Sequence, residues 1–349
     1  MDREGGLLVR EARAAARDWI VANIAGREAV WGAYCAGSAS WLADDAVLPP
    51  TSDLDVMVVA PAEAGERLRR KLLWRDALLD VSWLDSRRFR SPEQVLGDYH
   101  LAAGLWRGSV VLDPGGRLGS LQRAVAGAYT EPRWIRARCE DALRNALRHL
   151  SSVDRPAPLH DRVTGLLFGA GVTTHVLLVA GLRNPTVRTR YAAVRELLAE
   201  RSRLDLHEEL LRLLGSGEIS RARVEQHLDA LTELFDVAAQ VITTPFPFAG
   251  DISRVGRPSA IDGSRELVER GLHREAVFWL AVTAARCQKV LHEDAPESAG
   301  RFASAFRELL SDLGIFSAQA VVRRRPEVEA FLPGLRREAE AIVQATRLS

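Results

Sequence analysis

Three aspartates stand where charge is costly. Asp53 and Asp55 flank Leu54 at the opening of one apolar run, and Asp80 interrupts another, Leu78-Leu79-Asp80-Val81-Ser82-Trp83-Leu84. On a strand, residues i and i+2 point the same way, so Asp53 and Asp55 present two carboxylates together while Leu54 turns into the core. Two hard oxygen donors at one edge suit magnesium, which takes one or two carboxylates and completes its shell with phosphate oxygens. Taken alone, the pair is equally ordinary turn chemistry. Asp80 adds to it, because a carboxylate inside an apolar run is expensive to bury without a cation beside it; a metal would serve, and so would an arginine or an edge position facing water. Gly37-Ser38 follows a third apolar run, 30–36. There a glycine lets the backbone approach a phosphate closely, and Ser38 offers a hydroxyl and an N–H at the start of a short helix.

These residues need strands to hold them. Short apolar runs predict strands at 30–36, 54–60, 78–84 and 108–112. Helical spacing predicts a first helix over 7–24, stopped by Gly26, and a second over 62–74, whose Arg67, Arg69, Arg70 and Lys71 would lie on a solvated outer face. After Asp113-Pro114-Gly115-Gly116 the strand signals end. Helices are predicted at 131–150, 159–180, 186–200, 221–241, 274–292 and through much of the tail from Ser298. The architecture therefore changes near residue 128: a domain over 1–128, then a helical domain over 129–349. The proline- and glycine-rich loop 243–263 divides the latter into two subdomains, as a lid or acceptor loop or as a plain surface linker.

At 349 residues the chain is long for one core, which favours two domains. Its 47% hydrophobic and 27% charged residues mark a chain that buries real cores. A net charge of +1 supplies no global pull toward nucleic acid or an anionic membrane. Only Lys71 and Lys289 among the basic residues are lysines. Cys35, Cys139 and Cys287 are widely spaced and lack metal-type spacing, as expected of reduced thiols in a cytoplasmic protein. The charged start lacks an apolar leader core. The run 165–182 is interrupted by Thr173, Thr174 and His175, so it is read as a buried helix rather than a membrane span.

The order strand, Gly37-Ser38, short helix, Asp53-x-Asp55 strand, then Asp80 on a third strand resembles the polymerase-β-like nucleotidyltransferase superfamily over roughly residues 28–115. The resemblance implies an α+β fold, a small mixed sheet with flanking helices followed by a larger all-helical domain. It implies that Gly37 and Ser38 hold the triphosphate of ATP or another nucleotide. Asp53 and Asp55 would bind the metals, two Mg2+ ions, and Asp80 would complete the triad as a ligand or as the base. Asp113-Pro114-Gly115-Gly116 looks like the segment that closes this domain in bacterial relatives. One departure is an interval between Ser38 and Asp53 a few residues longer than usual, through Asp44-Asp45 and Pro49-Pro50. The implied chemistry is in-line attack of an acceptor hydroxyl on the α-phosphorus, with pyrophosphate leaving.

The fused helical part resembles that of the aminoglycoside nucleotidyltransferases, which implies a small-molecule acceptor; no stable nucleic-acid complex or membrane partner is expected, and a homodimer is open. Candidates for a helical-domain base are Glu275, Asp251 and Asp262, for each of which an ordinary surface acid is the alternative. Arg254 and Arg257 would instead suit a phosphate or carboxylate. His160, His175 and His207 lack ligand spacing, and Trp74, Trp83 and Trp106 are expected in the core. Two other readings stay open: adenylylation of a protein or RNA, as in antitoxin-like relatives, and a nucleotide sensor without catalysis.

Overall fold

The computed structural model describes residues 6–64 and 70–346; Arg67 and Arg69, expected on a helix face, lie outside the described residues. The fold is α+β, and the chain packs as two compact units. One runs through Ala137 and also takes in Pro245–Ser259; the other comprises Arg138–Thr244 and everything from Ala260 on. Packing thus divides the chain inside a helix, nine residues beyond the expected change of architecture, and assigns most of the 243–263 segment to the N-terminal unit.

That unit opens with α1 (Val9–Asn23), followed by β1 (Gly32–Ala36), β2 (Leu54–Ala60), β3 (Arg70–Trp74) and β4 (Ala77–Asp85). Helices α2 (Pro92–Gly97) and α3 (Tyr99–Arg107), strand β5 (Ser109–Leu112) and helix α4 (Arg117–Ala128) complete it, and α5 (Pro132–Ser152) leads out of it. The sheet order is β3-β4-β2-β1-β5; β2 and β4 are parallel and the other pairs antiparallel.

The sheet has two different faces because its strands alternate. Leu54, Val56 and Val58 of β2, with Leu79 and Val81 of β4, form one core with Val9, Ala12, Ala16, Trp19 and Ile20 of α1. Helical spacing puts those α1 residues on one stripe. Glu11 caps the helix by accepting the Leu8 N–H at 3.0 Å, and Gly26, at φ +83°, turns the chain after it. Each large side chain buried there contributes roughly 1.5–3 kcal/mol. The opposite face carries the residues between: Asp55, Asp80 and Tyr34. Helix α3 lies against that face, where a Cβ on Gly104 would stand 3.4 Å from both Ala36 and Tyr34.

The expected helix over 62–74 is corrected. Residues 70–74 form β3, hairpinned to β4 through Arg75 and Asp76, both at positive φ (47° and 65°). Two consecutive positive-φ residues are the signature of a tight type I′ hairpin, and here neither is glycine or asparagine. The extra residues between Ser38 and Asp53 dock on the start of α1: the Val9 N–H donates to Ala46 O at 2.9 Å, and Arg13 donates to Ala39 O at 2.7 Å.

The second unit is helical: the remainder of α5, then α6 (Leu159–Ala180), α7 (Arg190–Glu200), α8 (Leu204–Leu214), α9 (Arg221–Val241), α10 (Gly263–Glu269), α11 (His273–Asp294), α12 (Pro296–Asp312) and α13 (Ala318–Thr346). Among the described residues α6 is the one helix long and apolar enough to cross a membrane, and 89% of its most apolar stretch is buried inside the protein. It is packed by α7, α11 and α13. Its glycines allow that crowding: a Cβ on Gly169 would come within 2.6 Å of Leu150, and one on Gly171 within 2.7 Å of Phe278. Ile20→Ala should cost about 2–5 kcal/mol of stability in the N-terminal unit, read as a lower urea midpoint for the loss of its tryptophan fluorescence.

Candidate functional site

Strand register lines the site up. Ala36 pairs with Asp55, Asp55 with Asp80, and Asp80 with Lys71, so one row of residues crosses four strands on the face opposite α1. Asp53 lies two residues before Asp55, ahead of β2. Asp80 has no exposed surface, whereas the Asp53 side chain keeps 25% of its own. Beside this row Gly37 follows β1 at φ 75°, ψ −165°, a region that only glycine occupies without strain. A Cβ there would sit 1.7 Å from Asp55 Oδ2, so the carboxylate fills the room that the missing side chain leaves. Ser38 opens a single 3-10 turn, Ser38–Trp41, with Ser40 N–H donating to Gly37 O at 3.1 Å.

At the other end of the row the structure places an ammonium among the acids. Lys71 Nζ donates to Asp53 Oδ2 and lies 3.4 Å from Asp80 Oδ2 and 3.1 Å from Asp251 Oδ1. Burial alone would pull the Lys71 pKa down; the charges of Asp53, Asp251 and Asp80, with the hydrogen bond to Asp53, outweigh it and hold the pKa above the ordinary lysine range. Lys71 is therefore charged, and only 4% of its side chain is exposed. The expectation of a solvated helix face is corrected for this residue. A signal for it existed in the two-residue gap between Leu72-Leu73-Trp74 and Ala77-Leu78-Leu79, which spells a hairpin.

Asp251 comes from the irregular segment and is no surface acid, being 4% exposed. Its loop is braced internally: Asp251 N–H donates to Phe248 O at 2.8 Å, Ser253 Oγ donates to Gly250 O at 2.8 Å, and the rings of Phe246 and Phe248 stack 5.0 Å apart. Gly250 runs close to β3, where a Cβ would meet Lys71 N at 3.0 Å. Sequence marks Asp251 as a candidate base or an ordinary surface acid but offers no pointer to its pairing with Lys71, because it lies far along the chain in a stretch without period.

Among the described residues no three Asp, Glu, His or Cys side chains are grouped so as to hold a metal ion by themselves. The donor chemistry nevertheless fits a hard divalent cation that brings phosphate oxygens with it. Three carboxylate oxygens already converge on a single positive nitrogen, and magnesium is ordinarily bound by one or two carboxylates plus substrate.

The remaining candidates fall elsewhere. Asp113 accepts from the N–H groups of Leu118 and Gly119 at 3.1 and 2.8 Å, tying β5 to the start of α4. Asp262 and Arg254 are exposed, and Arg257 is half-buried. Trp74 and Trp83 pack against the α1 core, and Trp106 stacks on Tyr129 at 4.0 Å. Glu275 belongs to the interior of the helical unit at 3% exposure, its Oε1 lying 3.6 Å from Arg195 Nε and 3.5 Å from His207 Nε2. Burial raises the Glu275 pKa and pushes His207 down to about 4. His175 Nε2 donates to Thr186 O at 2.8 Å, an ordinary core contact.

No protein-family model matches the sequence, and no curated protein matches it. One solved structure similar to the chain is a nucleotidyltransferase-like protein from Exiguobacterium sibiricum 255-15. The two share 11% identity over 87% of this chain and 88% of that one, with a TM-score of 0.28.

Gly37→Ala should cost roughly 1–3 kcal/mol from backbone conformation alone and displace the Asp55 carboxylate; a thermal melt reads the first effect and nucleotide titration the second. In the helical unit, His207 binds a proton more readily when unfolded, since its folded pKa is the lower one. Stability should therefore fall as pH drops from about 6.5 to about 4, because the unfolded state takes up the proton. His207→Gln should flatten that fall, as followed by urea midpoints of helical circular dichroism across the window.

Proposed function

We propose that the N-terminal unit is a nucleotidyltransferase centre that takes a nucleoside triphosphate, AMP from ATP being the expected transfer, and passes the nucleoside monophosphate to an acceptor hydroxyl. The observation that carries this reading is the seating of Asp55 against Gly37, which brings the acid row and the Gly37-Ser38 turn together. Asp53 and Asp55 would hold a magnesium ion, with Asp80 completing the set as a further ligand or as the base. When bound, the ion supplies charge neutralisation at the phosphate oxygens and acidifies the attacking hydroxyl.

The chain's own residues then have distinct tasks. Gly37 lets the backbone close on the triphosphate, and Ser38 offers its N–H and hydroxyl to phosphate oxygens. Asp80, on the row beside Asp55, would take the acceptor's proton or serve as a ligand of the ion. Such a centre works by positioning rather than through an activated nucleophile. The acceptor class we propose is a hydroxylated small molecule, an aminoglycoside or another natural product, since a net charge of +1 gives no general attraction for a polyanion.

The test is pyrophosphate release and product mass with magnesium, each of the four ribonucleoside triphosphates and a panel of aminoglycosides and related metabolites. A gain of one nucleoside monophosphate on a small molecule is expected. Asp53→Ala and Asp55→Ala should each lower turnover by at least about a hundredfold, the scale on which electrostatic stabilisers of a transition state act. Silence across the panel with nucleotide still bound would overturn the small-molecule acceptor in favour of a macromolecular one or of a sensor.

A further inference from the structure

We propose that Lys71 is the resident counter-ion of the aspartate centre, displaced from Asp53 and Asp80 when a divalent cation binds, and that Asp251 is the positioning residue that keeps the displaced ammonium. The inference rests on the reading of this centre as a cation site and not on which acceptor it serves. Three observations carry it. The first is shared ligands: Lys71 Nζ holds Asp53 by a hydrogen bond and stands 3.4 Å from Asp80, and both acids belong to the set to which a divalent ion would come. A divalent ion and an ammonium repel strongly at such distances, so the two cannot share these oxygens at full occupancy.

The second is the presence of a separate anchor. Asp251 Oδ1 lies 3.1 Å from the same nitrogen but comes from another part of the chain, on a loop stiffened by the Ser253 bridge from Gly250 O to Gly256 N–H. Losing Asp53 and Asp80 would leave Lys71 one buried partner rather than none, which keeps the exchange from stranding a bare charge in the interior. The third is chemical type. Lysine is a point charge on a flexible stem with three donors, able to turn from one carboxylate to another, whereas the fixed fork of arginine is not; here lysine appears in a chain whose basic residues are otherwise arginine, Lys289 excepted.

The composition of the chain makes the test direct in the unmodified protein. With only two lysines, amine acetylation read by peptide mass spectrometry reports Lys71 against Lys289 as an internal reference, Lys289 being paired with Asp161 at 2.7 Å in the other unit. Without divalent cation Lys71 should be protected. Saturating Mg2+ in the absence of nucleotide should raise its labelling relative to Lys289 several-fold; an unchanged ratio overturns the proposal.

Manganese titration by electron paramagnetic resonance supplies the second arm. Lys71→Met should bind Mn2+ at least about tenfold more tightly than the native chain, because the competing charge is gone; equal affinity overturns the proposal. Asp251→Asn should weaken Mn2+ binding in the native background and leave it unchanged in the Lys71→Met background, since Asp251 acts through the lysine. Weakening in both backgrounds would make Asp251 a direct ligand and overturn its assigned role. None of these readouts involves nucleotide turnover, so failure of the transferase reading and failure of this one are told apart.

Discussion

The N-terminal unit is organised around a charge that it cannot leave alone. Asp80 sits in the middle strands of the sheet with no exposed surface, and an isolated carboxylate there would either be neutralised or cost several kcal/mol. The ammonium of Lys71 meets that demand, and bringing it there requires a third strand: β3 must pair with β4 in the one register that sets Lys71 opposite Asp80. A slip of one residue would point the lysine into the α1 core and Leu72 at the acids. The unusual turn through Arg75 and Asp76, both at positive φ, is the conformational cost of that register.

The same requirement extends far along the chain. Asp251 reaches Lys71 from a segment that lies between α9 and α10, both belonging to the other unit. The chain therefore returns to its first unit for Pro245–Ser259 before resuming the helical one. The irregular character of the segment follows from that task. A helix presents side chains every 3.6 residues along a stiff rod, whereas here glycines at 250 and 256 let backbone run against backbone: a Cβ on Gly256 would stand 2.5 Å from Gly250 O. Proline and glycine at such places look like linker chemistry in a sequence, and in this structure they shape a compact loop that carries a buried acid.

What the sequence makes legible is whatever is local. The period-two pattern of Leu54, Val56 and Val58 announces β2 and puts Asp53 and Asp55 on its other side. A long apolar run announces α6 and an apolar periodicity announces α9, and the observed limits of both coincide with the predicted ones. Gly37 is legible as a glycine that matters, though its reason, the Asp55 carboxylate in the space of its missing Cβ, is not. Non-local facts stay hidden. A stretch such as Arg69-Arg70-Lys71 reads as a solvated helix face because charge is ordinarily solvated, and nothing nearby reveals three acids waiting for it. Glu275 reads as a candidate base or as a surface acid at the start of a helix, yet it is buried beside Arg195 and His207. Only the fold supplies the partners that make such burial tolerable.

The choice between lysine and arginine at this centre follows from geometry. The chain uses arginine almost everywhere it needs a surface ion pair, as in Arg274 with Glu208, where the planar fork makes bidentate contact with one carboxylate at 2.6 and 2.8 Å. At position 71 three carboxylates from three separate segments converge on one atom, at 3.1 and 3.4 Å for Asp251 and Asp80. A guanidinium spreads its charge over three nitrogens in a plane and cannot offer one nitrogen to all three directions. The tetrahedral ammonium can, since its three donors fan out from a single centre. A single compact positive charge held by hard oxygens is also the simplest protein imitation of a metal ion, and this is why the contacts of Lys71 describe the chemistry of the place better than its position in the sequence does.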